Sequence, residues 1–441
     1  MLSHADNDLL CRVEGNAPMG KIMRSHWLPA CLSEEVNEAD GVPVRLRLLG
    51  EDLVAFRDTD GRVGVLDERC PHRRASLALG RNEECGLRCL YHGWKVDVEG
   101  NILEMPSEPS SSGMTEKVKH KAYKTHEAAG FVWVYMGDQE NVPEFEAPVF
   151  QPTPDTKVSI AKAKIDCNWA QILEGAIDSA HSSTLHSTDM VPARKASAEA
   201  DDEKWYRPST DRAPKLQLQK TPFGFRYAAI RRPIKDAKTH EYIRTTLFLA
   251  PFTVQIPPNN RYDVAILHIP IDDTHTAFHF IAWGNSATTP DRETWRKFLG
   301  MQIGIDLDAQ FNRFRTFENN YWQDRILMKT GESFTGIRGI PNQDIAMWET
   351  MGSIADRSDD VLGASDVAIV EFRRQMVEAA KKVRDGGPVI GRVEPRIPHA
   401  HLKSFEGIVE KGTEWRELGM AEEEKTHPDM QKLTEQAEND V

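Results

Sequence analysis

Two short stretches of the chain each carry one cysteine and one histidine: Cys70-Pro71-His72-Arg73 and Cys89-Leu90-Tyr91-His92-Gly93-Trp94. Written as a pattern this is C-x-H, sixteen residues, C-x-x-H. Two loops therefore each offer one thiolate and one imidazole. A tetrahedral zinc site is one reading, because two cysteines and two histidines suit zinc. Zinc-finger spacing, however, normally pairs Cys with Cys and His with His. Alternation on both loops suits a two-iron, two-sulfide cluster in which two cysteines hold one iron and two histidines the other. Neutral imidazoles leave such a cluster less negative than four thiolates would, which raises its potential into the range of roughly −150 to +300 mV. Cys85 lies four residues before Cys89, but the Cys89–His92 spacing is the better match, so Cys85 is read as a non-ligand.

The surrounding text is that of a small β unit. Val44 to Leu49, Leu53 to Phe56, Val63 to Leu66, Trp94 to Val98 and Phe131 to Tyr135 read as strands, with Asp60-Gly61 as a hairpin turn. Residues 1–40 read as a helical or irregular lead-in and 41–142 as the cluster-bearing domain. Pro143, Pro148, Pro152 and Pro154 punctuate a linker. A second domain is expected over 155–385. It opens on a helix from about Asn168 and continues, after a polar stretch at 187–215, into an antiparallel meander. The meander strands are Gly224 to Arg231, Tyr242 to Ala250, Tyr262 to Ile271 and Thr276 to Trp283. Ile369, Phe372, Met376, Ala380 and Val383 recur at helical spacing, with Ser365 as cap and Gly386-Gly387-Pro388 as stop. Residues 386–441 read as an acidic tail without chemistry, since 402–441 carries 5 basic against 11 acidic residues. The fold class expected is α+β: an all-β N-terminal domain, then an antiparallel sheet flanked by helices, of helix-grip type.

Charge and cysteine usage exclude other classes. A net charge of −13 over 441 residues argues against nucleic acid and against an anionic membrane surface as partners. No run approaches 18 apolar residues, and Met1 to Asp8 lacks the basic start of a secretory signal. Six cysteines are too sparse for a disulfide scaffold, so a reducing cytoplasm is the expected location.

A second constellation follows at Glu174, Asp178, His181 and His186. The first three are spaced i, i+4, i+7 and are expected on one helical face. His186 would point about 140° away from His181 on an ideal helix. A wide turn or break after His181 lets both imidazoles converge. Two such histidines and one distant carboxylate make the facial triad of mononuclear non-haem Fe(II).

Together the two motifs resemble the large, catalytic subunit of the Rieske non-haem iron aromatic-ring oxygenases, in order and over most of the chain. C-P-H-R and C-x-Y-H-G-W also fit the Rieske pattern beyond the ligands. The resemblance implies a [2Fe–2S] cluster on Cys70, His72, Cys89 and His92, and mononuclear iron on His181 and His186, with O2 as co-substrate. It implies a bridging catalytic carboxylate at Asp178, between His181 and a Rieske histidine of the neighbouring subunit, His92. It also implies a third iron ligand on a C-terminal helix. The candidates are Asp324, Asp344, Glu349 and Asp356; Asn342-Gln343-Asp344-Ile345-Ala346-Met347 fits the pattern best, so Asp344 is chosen, with Asp356 as runner-up. Gln343 to Arg357 and Leu362 to Asp366 resemble the phthalate dioxygenase branch, whose members are homo-oligomers without a small subunit. A flavin and iron–sulfur reductase is the implied electron donor, and a trimer or a hexamer of stacked trimers the implied assembly.

An acidic protein that takes an aromatic carboxylate needs local arginines, because a guanidinium fork matches a carboxylate in two places. Arg207, Arg212, Arg226, Arg231, Arg232, Arg244 and Arg261 all fall in the second domain. Arg244 lies mid-strand beside apolar residues, and Arg207 follows Trp205-Tyr206. These two are chosen as a carboxylate clamp. Arg231-Arg232 reads as a strand end facing water, and His268, His275, His279, His399 and His401 read as ordinary strand or loop residues. The best guess for the reaction is phthalate to its cis-4,5-dihydrodiol. The alternatives are monooxygenation or O-demethylation of a methoxy- or phenoxybenzoate, a pure electron carrier, and a binding module whose second domain has lost iron.

Overall fold

A computed structural model describes residues 1–193, 205–258, 261–392, 397, 399 and 402–419. The chain divides into two compact units, residues 13–146 and residues 1–12 with 147–441.

The smaller unit holds a six-stranded antiparallel sheet. Its order is Trp27–Leu32, Phe131–Tyr135, Ala122–Ala128, Val63–Asp67, Glu51–Arg57 and Val44–Leu48. The lead-in reading of 1–40 missed the edge strand Trp27–Leu32. Pro29 explains why: it donates no backbone hydrogen bond, and strand prolines belong on edges and at bulges. Here the strand is at the sheet's edge, and its register shifts between Pro29 and Cys31. A second sheet of Arg81–Glu83, Gly86–Arg88, Lys95–Val96 and Ile102–Glu104 carries the loops of interest. The expected strand at Trp94 to Val98 shrinks to Lys95–Val96. Trp94 belongs to the Cys89 loop through its carbonyl, and Asp97 is taken up in the turn around Gly100. Val54, Phe56, Leu66, Leu77, Leu87 and Val96 form the core beneath both cysteine loops.

The larger unit is built on an eight-stranded sheet. Gly224–Arg231, His240–Leu249, Asp263–Pro270 and Thr276–Asn285 are the four expected antiparallel strands; Lys215–Thr221 and Thr253–Ile256, which the sequence reading did not include, join them, and Thr156–Ile165 closes the far edge. Phe405–Glu410 pairs with the His240 end of its strand, Tyr242 facing Ile408 and Arg244 facing Glu406. This corrects the reading of the C-terminal region as an acidic tail without chemistry, since the segment adds a strand to the sheet and sets Glu406 against Arg244; residues 420–441, and His401, lie outside the described residues. Three helices matter to the site: Trp169–Ala176, Ile340–Thr350 and Val367–Arg384. The last buries Phe372, Met376 and Ala380, and Phe372 packs on Trp169 and Phe248. It begins after Asp366 rather than at Ser365, with no side-chain cap bond.

The helix Trp169–Ala176 is capped by Asn168, whose side chain accepts the Ala170 N–H. It ends before Asp178, not after His181. The cause is local: Asp178 Oδ1 accepts the N–H groups of Ala180 at 2.7 Å and His181 at 3.4 Å. An Asp that binds backbone two and three residues on competes with helix continuation and starts a new turn. Glu174 therefore does not share the ligand face. Its carboxylate is held by Arg357 and Arg373, in a buried ion-pair cluster with Asp360. Gly175 is required by the helix crossing, since a Cβ there would overlap the Trp348 indole. Among the described residues no helix is long and apolar enough to cross a membrane.

Candidate metal centres and active site

The two cysteine loops have the same backbone. Cys70 N–H donates to Ala75 O at 2.8 Å, and Arg74 N–H returns to Cys70 O at 2.9 Å. Cys89 N–H donates to Trp94 O at 2.8 Å, and Gly93 N–H returns to Cys89 O at 3.0 Å. The fourth residue after each cysteine is left-handed, Arg74 at φ 63° and Gly93 at φ 76°. Each loop thus closes on itself and offers its Cys and His from one side. The imidazoles of His72 and His92 meet with centroids 4.4 Å apart, and His72 stacks on Trp94. Both cysteines are buried, unbridged thiols. Burial pushes the Cys70 thiol up, with Cys89 beside it adding to the shift.

Nδ1 of His72 and Nδ1 of His92 are buried without any hydrogen-bond partner. A cluster iron bound between the loops would give both nitrogens the partner the protein does not supply. One tetrahedral ion would draw its four donors into close contact at bond lengths of ~2.0–2.3 Å. Among the described residues, however, the His/Cys/Asp/Glu group gathered within 4.8 Å is a different one, His181, His186 and Asp344. Two thiols side by side and two imidazoles side by side fit a two-iron cluster, with the cysteines on one iron and the histidines on the other.

His181 and His186 come from the turn after the Trp169–Ala176 helix, and Asp344 from the helix Ile340–Thr350. Asp344 Oδ1 lies 3.4 Å from His181 Nε2 and 3.1 Å from His186 Nε2. The opposite face of His181 is served by Asp178, Oδ2 to Nδ1 3.4 Å, an ion-pair distance without an aligned hydrogen bond. Burial works to lower the His181 pKa, but Asp178 and then Asp344 overcome it and push it up to about 10. Burial likewise works to raise Asp344, and His186 and His181 hold it down at about 2. A buried donor set that draws a proton onto an imidazole is short of one positive charge, and a divalent metal supplies that charge while releasing the proton. The donors therefore fit a divalent metal, and two imidazoles with one carboxylate fit mononuclear iron in particular. The other candidate carboxylates are engaged elsewhere. Asp324 caps the helix Arg325–Thr330, Glu349 pairs with Arg313, and Asp356 is exposed beside His4.

The triad lies in the wall of a cavity lined also by Phe278, Phe280, Ile266, Trp205 and Arg244. Arg207 is buried just behind the wall, where its guanidinium donates to the hydroxyls of Ser182 and Ser183. Arg231 corrects the sequence reading: it is buried, not at a wet strand end, and donates to Ser179 O at 2.8 Å. Only Arg232 faces water, paired with Asp211. Burial, reinforced by Arg244, pushes Arg207 down to about 9 and Arg231 down to about 10. Arg244 goes the other way. Burial opposes its charge, but Glu406, 3.5 Å from its Nε, outweighs that. Glu406 also accepts the Tyr242 hydroxyl. Sequence reasoning missed it because no short-range pattern joins residue 406 to residue 244; only the strand pairing does. His268 and His279 are buried strand residues, and His275 sits in a turn on Asp272, as expected.

A family model described as the Rieske [2Fe-2S] domain matches residues 26–124, and one described as LigXa C-terminal domain like matches residues 134–440. The chain belongs to the Rieske oxygenases. It is 63% identical, over 95% of this chain and 94% of the relative, to the phthalate 4,5-dioxygenase oxygenase subunit of Pseudomonas putida. It is 36% identical, over 93% and 96%, to the 3-chlorobenzoate-3,4-dioxygenase oxygenase subunit of Comamonas testosteroni. The terminal oxygenase of carbazole 1,9a-dioxygenase from Nocardioides aromaticivorans shares its fold, with TM-score 0.53 and 18% identity over 83% of this chain and 98% of that one. This Rieske oxygenase subunit is thus an oxidoreductase that uses a [2Fe–2S] cluster, mononuclear iron and O2.

Proposed function

We propose that this chain inserts O2 into phthalate to give the cis-4,5-dihydrodiol. Cys70, His72, Cys89 and His92 hold the cluster, and His181, His186 and Asp344 hold the mononuclear iron. When bound, the cluster supplies electrons singly and the mononuclear iron activates O2. The ring gains both oxygen atoms; two electrons come from a flavin and iron–sulfur reductase, and two protons from solvent. Arg244, in the cavity wall, binds a substrate carboxylate and so turns the opposite ring edge toward the triad; Arg207, expected as its partner in the clamp, lies behind the wall and holds Ser182 and Ser183 instead. Phe278, Phe280 and Ile266 exclude water from that edge.

The observation that carries this reading is a buried guanidinium, Arg244, in the wall of the cavity that also holds the triad. Glu406 lies 3.5 Å from its Nε, and a substrate carboxylate in the cavity offers the guanidinium a second counter-charge in the fork geometry that suits it. The 63% identical relative is named for the same substrate.

Asp178 holds His181 on the face away from Asp344 and, in this reading, reaches His92 of the partner subunit. That contact needs a closed head-to-tail ring, a trimer or a hexamer of stacked trimers. Action in a reducing cytoplasm fits six free cysteines.

With a supplied reductase, O2 uptake and product analysis over phthalate, benzoate and methoxybenzoates should give coupled uptake and a dihydrodiol with phthalate. Formaldehyde from a methoxybenzoate, with no uptake on phthalate, would contradict the proposal. Arg244→Ala should raise the phthalate KM by about 10–100-fold with metal content unchanged, the loss expected for a charged hydrogen-bonded pair. An unchanged KM would remove Arg244 from the clamp.

A further inference from the structure

The two histidines of the triad are not supported alike. His181 faces the carboxylate of Asp178. His186 is buried, and its Nδ1 is 2.7 Å from Gln343 Oε1. Gln343 is itself buried, on the helix that carries Asp344. Its amide nitrogen donates to Asp189 Oδ2 at 2.9 Å and to Ile337 O at 3.0 Å.

Those two acceptors decide which way the amide points. Neither a carboxylate nor a carbonyl can donate, so the NH2 end must face them. Oε1 is then left facing His186, and an oxygen there can only accept. His186 must carry its proton on Nδ1, which leaves the lone pair of Nε2 directed at the side where Asp344 lies 3.1 Å away. Asp189 is brought to this position by the turn after His186, whose carbonyl accepts from the N–H groups of both Asp189 and Met190. The backbone that presents the histidine thus also presents the group that orients its orienter.

We propose that Gln343 is a positioning residue that fixes the ring and tautomer of His186, and that Asp189 locks Gln343 in the one orientation able to do so. The inference rests on the proposed reading of His186 as an iron ligand. It adds a relay from carboxylate through amide to imidazole, in which an uncharged amide touches His186, beside the direct carboxylate support that Asp178 gives His181.

The test uses the purified full-length holoenzyme. The rate at which a ferrous chelator removes the mononuclear iron is measured, with the visible absorption of the Rieske cluster and the melting temperature as internal controls. Gln343→Leu should lose mononuclear iron about 10–100-fold faster, the usual size of an outer-sphere effect on affinity. The cluster absorption should stay near wild type, and the melting temperature should fall only modestly, for the partners of Gln343 left unpaired. Gln343→Glu alone places two carboxylates together and should also release iron faster. The swap Gln343→Glu with Asp189→Asn restores an acceptor for Nδ1–H and a donor behind it, and should return release to within about threefold of wild type.

Unchanged iron release in Gln343→Leu would overturn the inference. So would a swap no better than Gln343→Glu, or loss of iron only in step with melting temperature. His186→Ala separates this from failure of the underlying reading. If His186 is a ligand, that variant lacks mononuclear iron whatever Gln343 does; if it keeps its iron, the reading itself fails.

Discussion

The cysteine–histidine loops take four donors from residues 70–92, while the histidine–aspartate triad takes three from residues 181–344. The loops do their work through backbone. Each closes a turn on its own cysteine with a left-handed fourth residue, and the imidazoles need no protein partner at Nδ1. The triad depends instead on side chains. Asp178 serves one histidine, Gln343 and Asp189 the other, and Asp344 arrives on a helix whose crossing requires Gly175. A relay that only accepts and passes on electrons has no substrate to enclose and can take its ligands from one hairpin-rich segment. A centre that admits substrate needs a dry cavity, which only a packed sheet and helices enclose.

Two substitutions sharpen that contrast. The larger effect is expected for Asp178→Asn, which keeps the size of the side chain and removes its charge. Iron and cluster content should stay normal while turnover falls by about 10–100-fold, since the orienting contact and not the ligand set is lost. Steady-state assay beside metal analysis checks this; normal turnover at normal iron content would refute the bridging role. The smaller effect is expected for Asp324→Ala. As a helix cap it should cost about 1 kcal/mol, visible as a modest fall in melting temperature, with iron content intact. Iron loss in that variant would mean that the wrong carboxylate has been placed at the triad.

The same contrast explains what could be read from sequence. The Cys/His loops were legible because their spacing is local and their chemistry is rare. Asp344 was legible only through the Asn342-Gln343-Asp344 text on its helix, while the role of Gln343 was not, since it depends on Asp189 and Ile337 approaching from elsewhere. The i, i+4, i+7 spacing of Glu174, Asp178 and His181 misled, because Asp178 binds its own downstream backbone and ends the periodicity on which the spacing argument relied. Arg231 was misread and Glu406 missed for a related reason. A charged residue at a strand end or in an acidic stretch has solvent as its default, and only long-range packing overrides it. The meander, by contrast, was legible in the regular spacing of four apolar-rich runs, Gly224 to Arg231, Tyr242 to Ala250, Tyr262 to Ile271 and Thr276 to Trp283.

Iron and inorganic sulfide counted per chain, in wild type and in two variants, test the separation of the two ligand sets most directly. Wild type should hold three irons and two sulfides, as a two-iron cluster plus one mononuclear site requires. Asp344→Ala should keep the two sulfides and the cluster absorption and hold two irons; Cys89→Ser should lose both sulfides. Loss of sulfide in Asp344→Ala, or three irons retained there, would contradict the account.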